Sequence, residues 1–301
     1  MRKFPKWNHY FFAFMLVIAL STLTHAQAPG SNAAQAVSLN NRGLQLFKEG
    51  KLDEAIAQYR QALVLRPDFP EALSNLGLAL DAKGKDDEAL ADFDKALALK
   101  PGDAVTESNR GLALYHEKKY AESIAAYQLA ISFHASFPQA YNGMGAALFA
   151  AGKSEEAIAA YRTALQLQPR YTDAMNNLGS ALDSEKKYDE AIQIYQEALK
   201  IEPKATDIRA NLASTLQSAG RTDDAIAEYR EIVAARPNDA HAFFQLNMFL
   251  RRGYASSVTR FREELAQLEH LAKDHAAKDS LRQLEALSHK CSDVVILATT
   301  Y

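Results

Sequence analysis

Residues 172–205 read TDAMNNLGSALDSEKKYDEAIQIYQEALKIEPKA, and this stretch decides the fold. Two apolar patterns at helical spacing lie inside it: Met175, Leu178, Gly179 and Leu182, then Ala191, Ile192, Tyr195, Ala198 and Leu199. A polar segment separates the two patterns, and Pro203 closes the second. The stretch therefore predicts two helices joined by a short turn. Working outward, Gly179 is one of a series, because Gly43, Gly77, Gly111, Gly145 and Gly179 each stand 34 residues from the next. Ala213 takes the same place one period later. Such self-similarity is the sequence mark of a stacked repeat.

The other landmarks keep step. Pro67, Pro101, Pro169, Pro203 and Pro237 close the units, with Ala135 the one absentee, and every unit carries one aromatic: Tyr59, Phe93, Tyr127, Tyr161, Tyr195 or Tyr229. One turn before each aromatic is a small residue, namely Ala55, Ala89, Ser123, Ala157, Ala191 or Ala225. The small residue lets the second helix approach its partner closely, and the aromatic is expected to fill the wider gap between units. Acids such as Asp53-Glu54 and Asp223-Asp224 fall in the first turn of the second helices, where the helix dipole favours them.

A Leu-Gly pair, the small residue, the aromatic, a second alanine and the closing proline at these offsets resemble the tetratricopeptide repeat. The resemblance implies an all-α solenoid, a right-handed superhelix of antiparallel helix pairs whose first helices line the concave side. Six units match, at residues 36–69, 70–103, 104–137, 138–171, 172–205 and 206–239. Three departures, Ala135, Ala213 and Ile232 (at an alanine position), predict local loosening without a change of fold. Phe243, Leu246 and Leu250 read as the first helix of a degenerate seventh unit over residues 240–253, and residues 254–301 as a helical cap and tail. Val258, Phe261, Leu265, Leu268 and Leu271 form its main apolar stripe. Solenoids need such terminal elements to cover the last exposed face.

The first 26 residues differ from the rest. Arg2, Lys3 and Lys6 precede an apolar run from Phe11 to Leu20, and Thr24-His25-Ala26 offers small residues for cleavage, the pattern of a secretory signal peptide. Residues 27–35 then read as a linker. The apolar run falls short of the roughly 20 residues a spanning helix needs, so the expected location is the bacterial periplasm or the medium. An uncleaved anchor holding the chain on the inner membrane, facing the periplasm, is the alternative. Removing the three leader cations takes the formal charge from -3 to -6, which offers nothing to nucleic acid. Cys291 is the sole cysteine, so no internal disulfide forms.

Chemistry is conspicuous by what is missing. No phosphate-binding glycine loop follows a strand, and the eight histidines show no metal-ligand spacing. The expectation is a chain that is not an enzyme, with no cofactor and no metal. His116 reads as a solvated helix end.

One polar position recurs instead. Asn41, Asn75, Asn109, Asn177 and Asn211 occupy equivalent places in five of six first helices, with Gly143 the exception. At about 100° per residue Asn177 lies opposite the core positions of its helix and faces the hollow. A primary amide carries both donor and acceptor, and so pairs with an extended peptide backbone whatever its side chains. The pattern resembles the asparagine ladder in the repeat superhelix of the O-linked N-acetylglucosamine transferase. That resemblance implies binding of extended polypeptide; the amides could instead bond neighbouring helices. Asn40, Asn142 and Asn176, one residue earlier, read as rim positions. At a further position Phe47, Tyr115 and Phe149 alternate with Asp81 and give way to Asp183 and Gln217, while Leu44, Leu78 and Leu112 precede Ala146, Ser180 and Ser214. A two-part groove is expected, apolar and aromatic toward the N-terminal half and polar toward the other. The functional expectation is an exported scaffold that binds an extended segment of a partner protein without catalysis, with membrane contact only through an uncleaved leader. A structural assembly subunit of a cell-envelope complex is the alternative.

Overall fold

The computed structural model describes residues 29–236 together with 243, 244 and 246. The leader, the seventh-repeat residue Leu250, the cap and the tail, including Cys291, lie outside the described residues. Twelve helices make up the described chain: α1 (Pro29–Lys48), α2 (Leu52–Leu65), α3 (Pro70–Asp81), α4 (Asp86–Leu99), α5 (Ala104–His116), α6 (Tyr120–Phe133), α7 (Pro138–Ala150), α8 (Ser154–Leu167), α9 (Thr172–Ser184), α10 (Tyr188–Ile201), α11 (Thr206–Ser218) and α12 (Thr222–Ala235). Odd-numbered helices are the first, and even-numbered the second, of each repeat. The chain forms two compact units that divide between Lys118 and Lys119. Helices α1 to α5 belong to the first unit and α6 to α12 to the second.

The repeat landmarks explain the packing. Ala55, Ala89, Ala157, Ala191 and Ala225 are fully buried, and the aromatic one turn later lies on the glycine of its own repeat's first helix. A Cβ added at Gly77 would sit 2.7 Å from the Phe93 ring, and one at Gly179 2.5 Å from that of Tyr195. The glycine is there so that backbone and ring can touch. The ring works inside the pair as well as between units, where a Cβ at Gly143 would meet Tyr127 of the preceding repeat at 2.4 Å and Thr215 of the following repeat bonds the Tyr195 hydroxyl. Burial pushes the Tyr59 and Tyr195 hydroxyls up to about 12.

Turns follow the expected chemistry with two exceptions. Gly50, Gly84, Gly152 and Gly220 adopt φ near +70 to +78, and Lys51 N–H closes the turn on the Leu46 carbonyl at 2.9 Å, a glycine C-terminal cap. Lys118 and Lys186 hold the same place at φ 61 and 59, a conformation that costs a side chain about 1 kcal/mol. Proline is not what ends the second helices. α6 stops at Phe133 although Ala135 replaces the proline, just as α2 stops at Leu65 before Pro67. In both, the next N–H bonds back four residues, His134 to Ala130 and Arg66 to Ala62.

The proposed linker is a second correction, since α1 begins at Pro29 and not at residue 36. Proline at the first helical position loses no hydrogen bond, and Ala33, Ala34 and Gln35 then continue the helix. At the other end Phe243 and Leu246 are helical and buried. Exposed pairs such as Arg60 with Glu88 and Arg162 with Glu190 join successive second helices. Each contributes less than about 1 kcal/mol, so apolar packing carries the stack.

Candidate functional site

The recurring asparagines lie on α1, α3, α5, α9 and α11, and three of them are tied to the helix before. Asn75 donates from Nδ2 to Asn40 Oδ1 at 2.9 Å, Asn177 to Asn142 at 3.0 Å and Asn211 to Asn176 at 2.9 Å. The step is 35 residues each time, one repeat plus one residue. Asn40, Asn142 and Asn176 are thus the acceptors of the ladder and not a rim, and Asn40 is buried. Each bond uses one N–H of the rung and leaves it a second N–H and the carbonyl oxygen. The remaining rungs differ. Asn41 is exposed and Asn109 half-buried, and the place that would accept from Asn109 is Ser74, whose hydroxyl receives Thr106 at 2.9 Å.

The gap at the fourth repeat has a steric cause. A Cβ on Gly143 would lie 2.4 Å from Tyr127 Cζ and 2.6 Å from its hydroxyl, so an asparagine there collides with a ring that is only 3% exposed. Sequence spacing carries no signal of this, because Tyr161 precedes Asn177 by the same 16 residues as Tyr127 precedes Gly143.

Other positions on the first helices divide by unit. In the first unit Leu44 is exposed and Leu78 half-buried, and Phe47 packs on the cluster around Tyr59 and Leu80. Tyr115 is half-buried, with its ring edge against His116. In the second unit Phe149 packs on the cluster around Tyr161 and Leu178, and Ser180 shares a 3.0 Å hydrogen bond with the Tyr195 hydroxyl. Much of each phenylalanine is therefore committed to the core. His116 ends α5 and is exposed, as expected of a helix end, and in addition its Nδ1 lies 2.9 Å from Asp81 Oδ1 across α3 and α5. The Asp81 side chain is 3% exposed. Burial raises its pKa, and the bond to His116 draws it back down.

Among the described residues no cluster of three or more histidine, cysteine or acidic side chains is arranged to hold a metal. No described helix is long and apolar enough to cross a membrane. A cleft of about 410 Å³ opens between α8 and α10 over Met175, Leu178 and Leu182. Arg162 and Glu190, which pair with each other, line it together with Gln166, Gln193 and Glu197.

Comparison with known proteins agrees with this architecture. A TPR repeat model matches residues 43–83, and tetratricopeptide repeat models match 70–103, 142–207 and 182–246. None of the curated proteins compared with the chain matches it. Among solved structures, the APC/C hetero-tetramer Cut9-Hcn1 is similar at 21% identity and a TM-score of 0.63, over 71% of this chain and 43% of that one. This chain therefore spans less than half the length of that protein. The pilF protein of Pseudomonas aeruginosa is similar at 18% identity and a TM-score of 0.60, over 69% and 94% of the two chains. TTC0263, a TPR protein of Thermus thermophilus, follows at 22% and 0.55, over 60% and 99%. At these identities the likeness concerns the fold, an all-α tetratricopeptide solenoid.

Proposed function

Taking the helix pairs as tetratricopeptide repeats, we propose that the chain is an exported, non-catalytic scaffold that holds an extended segment of a partner protein on the faces of its first helices. Repeats of this kind serve protein binding, and the recognition chemistry comes from the asparagines. The observation that carries the reading is the bond from rung to preceding helix in Asn75, Asn177 and Asn211. Those bonds fix the amides in orientation while leaving each a donor and an acceptor. A pre-oriented amide loses little side-chain freedom when it pairs with a peptide unit. The leader-like residues 1–26 support export, and the partner is accordingly an envelope or secreted protein.

The rungs separate binding from folding. No side-chain hydrogen bond joins Asn41 or Asn109 to another described residue, so Asn41→Ala with Asn109→Ala takes away two of the five rungs and leaves the packing alone. Capture of partner protein from envelope extract is expected to fall about tenfold, with unfolding free energy changed by less than about 0.5 kcal/mol. Undiminished capture by this variant and by Asn177→Ala with Asn211→Ala means that the amides serve only the helix stack.

A further inference from the structure

Two aspartates occupy one equivalent position three repeats apart, Asp81 on α3 and Asp183 on α9. The residue 35 places on, in the first helix of the next repeat, decides what each one meets. For Asp81 it is His116, whose ring nitrogen lies at 2.9 Å. For Asp183 it is Ser218, whose hydroxyl is turned to its own helix and donates to the Ser214 carbonyl at 3.2 Å. Asp183 Oδ1 is consequently buried with no hydrogen-bond partner, although the residue as a whole is only half-buried.

The donors around it are already engaged. Ser180 Oγ pairs with the Tyr195 hydroxyl, which is also bonded by Thr215, and the Asp183 charge adds to the burial that raises the Tyr195 pKa. No described lysine, arginine or histidine forms an ion pair with Asp183. A carboxylate with a buried, unpaired oxygen is costly, and at the equivalent place in the first unit Asp81 meets a histidine. What is lacking in the second unit is one cationic donor. At about 100° per residue Ser180 stands about 60° from both Asn177 and Asp183 on α9, so Asp183 lies about 120° round the helix from the rung Asn177, on the flank between that rung and the core. Phe149, one repeat before, and Gln217, one repeat after, stand at the equivalent position.

We propose that Asp183 is a charge-selecting subsite: a lysine or arginine side chain of the bound segment takes the place at Asp183 that His116 takes at Asp81. The proposal rests on the reading that an extended segment lies across the first helices, and adds to it that this segment is basic at one register position. The formal charge of -3 is of the sign to draw such a segment.

The test is selection of displayed random peptides, each about 12 residues long and so roughly 40 Å when extended, on the full-length chain, followed by affinity measurement on synthetic copies. Enrichment of lysine or arginine at one position, with a roughly 30-fold loss of affinity in Asp183→Asn and little change elsewhere in the motif, is the expected result. Ser218→His, which supplies the cation from within, is expected to erase the basic preference while other motif positions persist. Circular dichroism melts check that both variants fold. Enriched peptides with no basic position, or with one that survives both substitutions, overturn the proposal and leave the ladder reading standing. Failure to enrich any peptide, on a chain that melts cooperatively, overturns that reading and the proposal with it.

Discussion

The two units solve one problem in two ways. In the first, Asp81 is almost wholly buried and is answered by His116; in the second, Asp183 keeps a buried oxygen unpaired while Ser218 bonds to its own helix. The glycine-aromatic contacts around both are alike, Gly77 on Phe93 and Gly179 on Tyr195, although the turn that follows is closed by Gly84 in one and by Lys186 in the other. The repeat thus fixes where a side chain stands, and the neighbour one repeat later fixes whether it is finished.

That comparison presumes equal packing, and the largest predicted effects test the presumption. Phe93→Ala in the first unit and Tyr195→Ala in the second each remove a ring no more than 1% exposed, and each is expected to cost about 3–5 kcal/mol in denaturant titration. A large effect in one unit alone would mean that the two are not built alike. Gly179→Ala comes next, at about 1–3 kcal/mol, because its Cβ meets Tyr195 at 2.5 Å. Ala213 in the sixth repeat points to the lower end.

The aspartates themselves should respond with opposite sign. His116→Ala leaves Asp81 without its partner and is expected to cost about 1–3 kcal/mol. Asp183→Ser removes the unpaired oxygen and is expected to be neutral or stabilising by about 1 kcal/mol in the absence of ligand. Two equal losses would erase the contrast.

Titration sharpens it. The raised pKa of Asp81 means that the folded chain binds its proton more tightly than the unfolded one, so its stabilising share is fully present below the ordinary value of 3.8 and is lost as pH rises through the raised value. The difference in stability between the native chain and Asp81→Asn should shift against the native chain over that window. A flat difference means that burial leaves the carboxyl unperturbed. The smallest effect is expected at Lys186→Gly, where relief of φ 59 should add about 0.5–1 kcal/mol.

Most of the fold was legible in the sequence, because a period of 34 fixes glycine, alanine and aromatic on one face and each repeat confirms the last. Helix ends were misread where punctuation was taken for cause: α6 ends without a proline and α1 begins before its repeat. The site was legible only in part. Asn177 and its equivalents announce themselves by recurrence, whereas their acceptors sit at a 35-residue offset and recur irregularly, as Asn40, Ser74, Ser108, Asn142 and Asn176. His116 and Ser218 look equally ordinary in sequence, since only the register between neighbouring first helices shows which aspartate each one faces. The exclusion of a rung at Gly143 by Tyr127 is a matter of ring placement, which spacing does not encode.

Backbone N-methylation of a selected peptide tests the central claim most directly. If the ladder reads the peptide backbone, methylation at successive positions along the bound register should weaken binding by about tenfold at those facing Asn41, Asn75, Asn109, Asn177 or Asn211, while alanine in place of the same residues' side chains changes it less than about twofold. Binding that tolerates methylation throughout and collapses on side-chain truncation would contradict it.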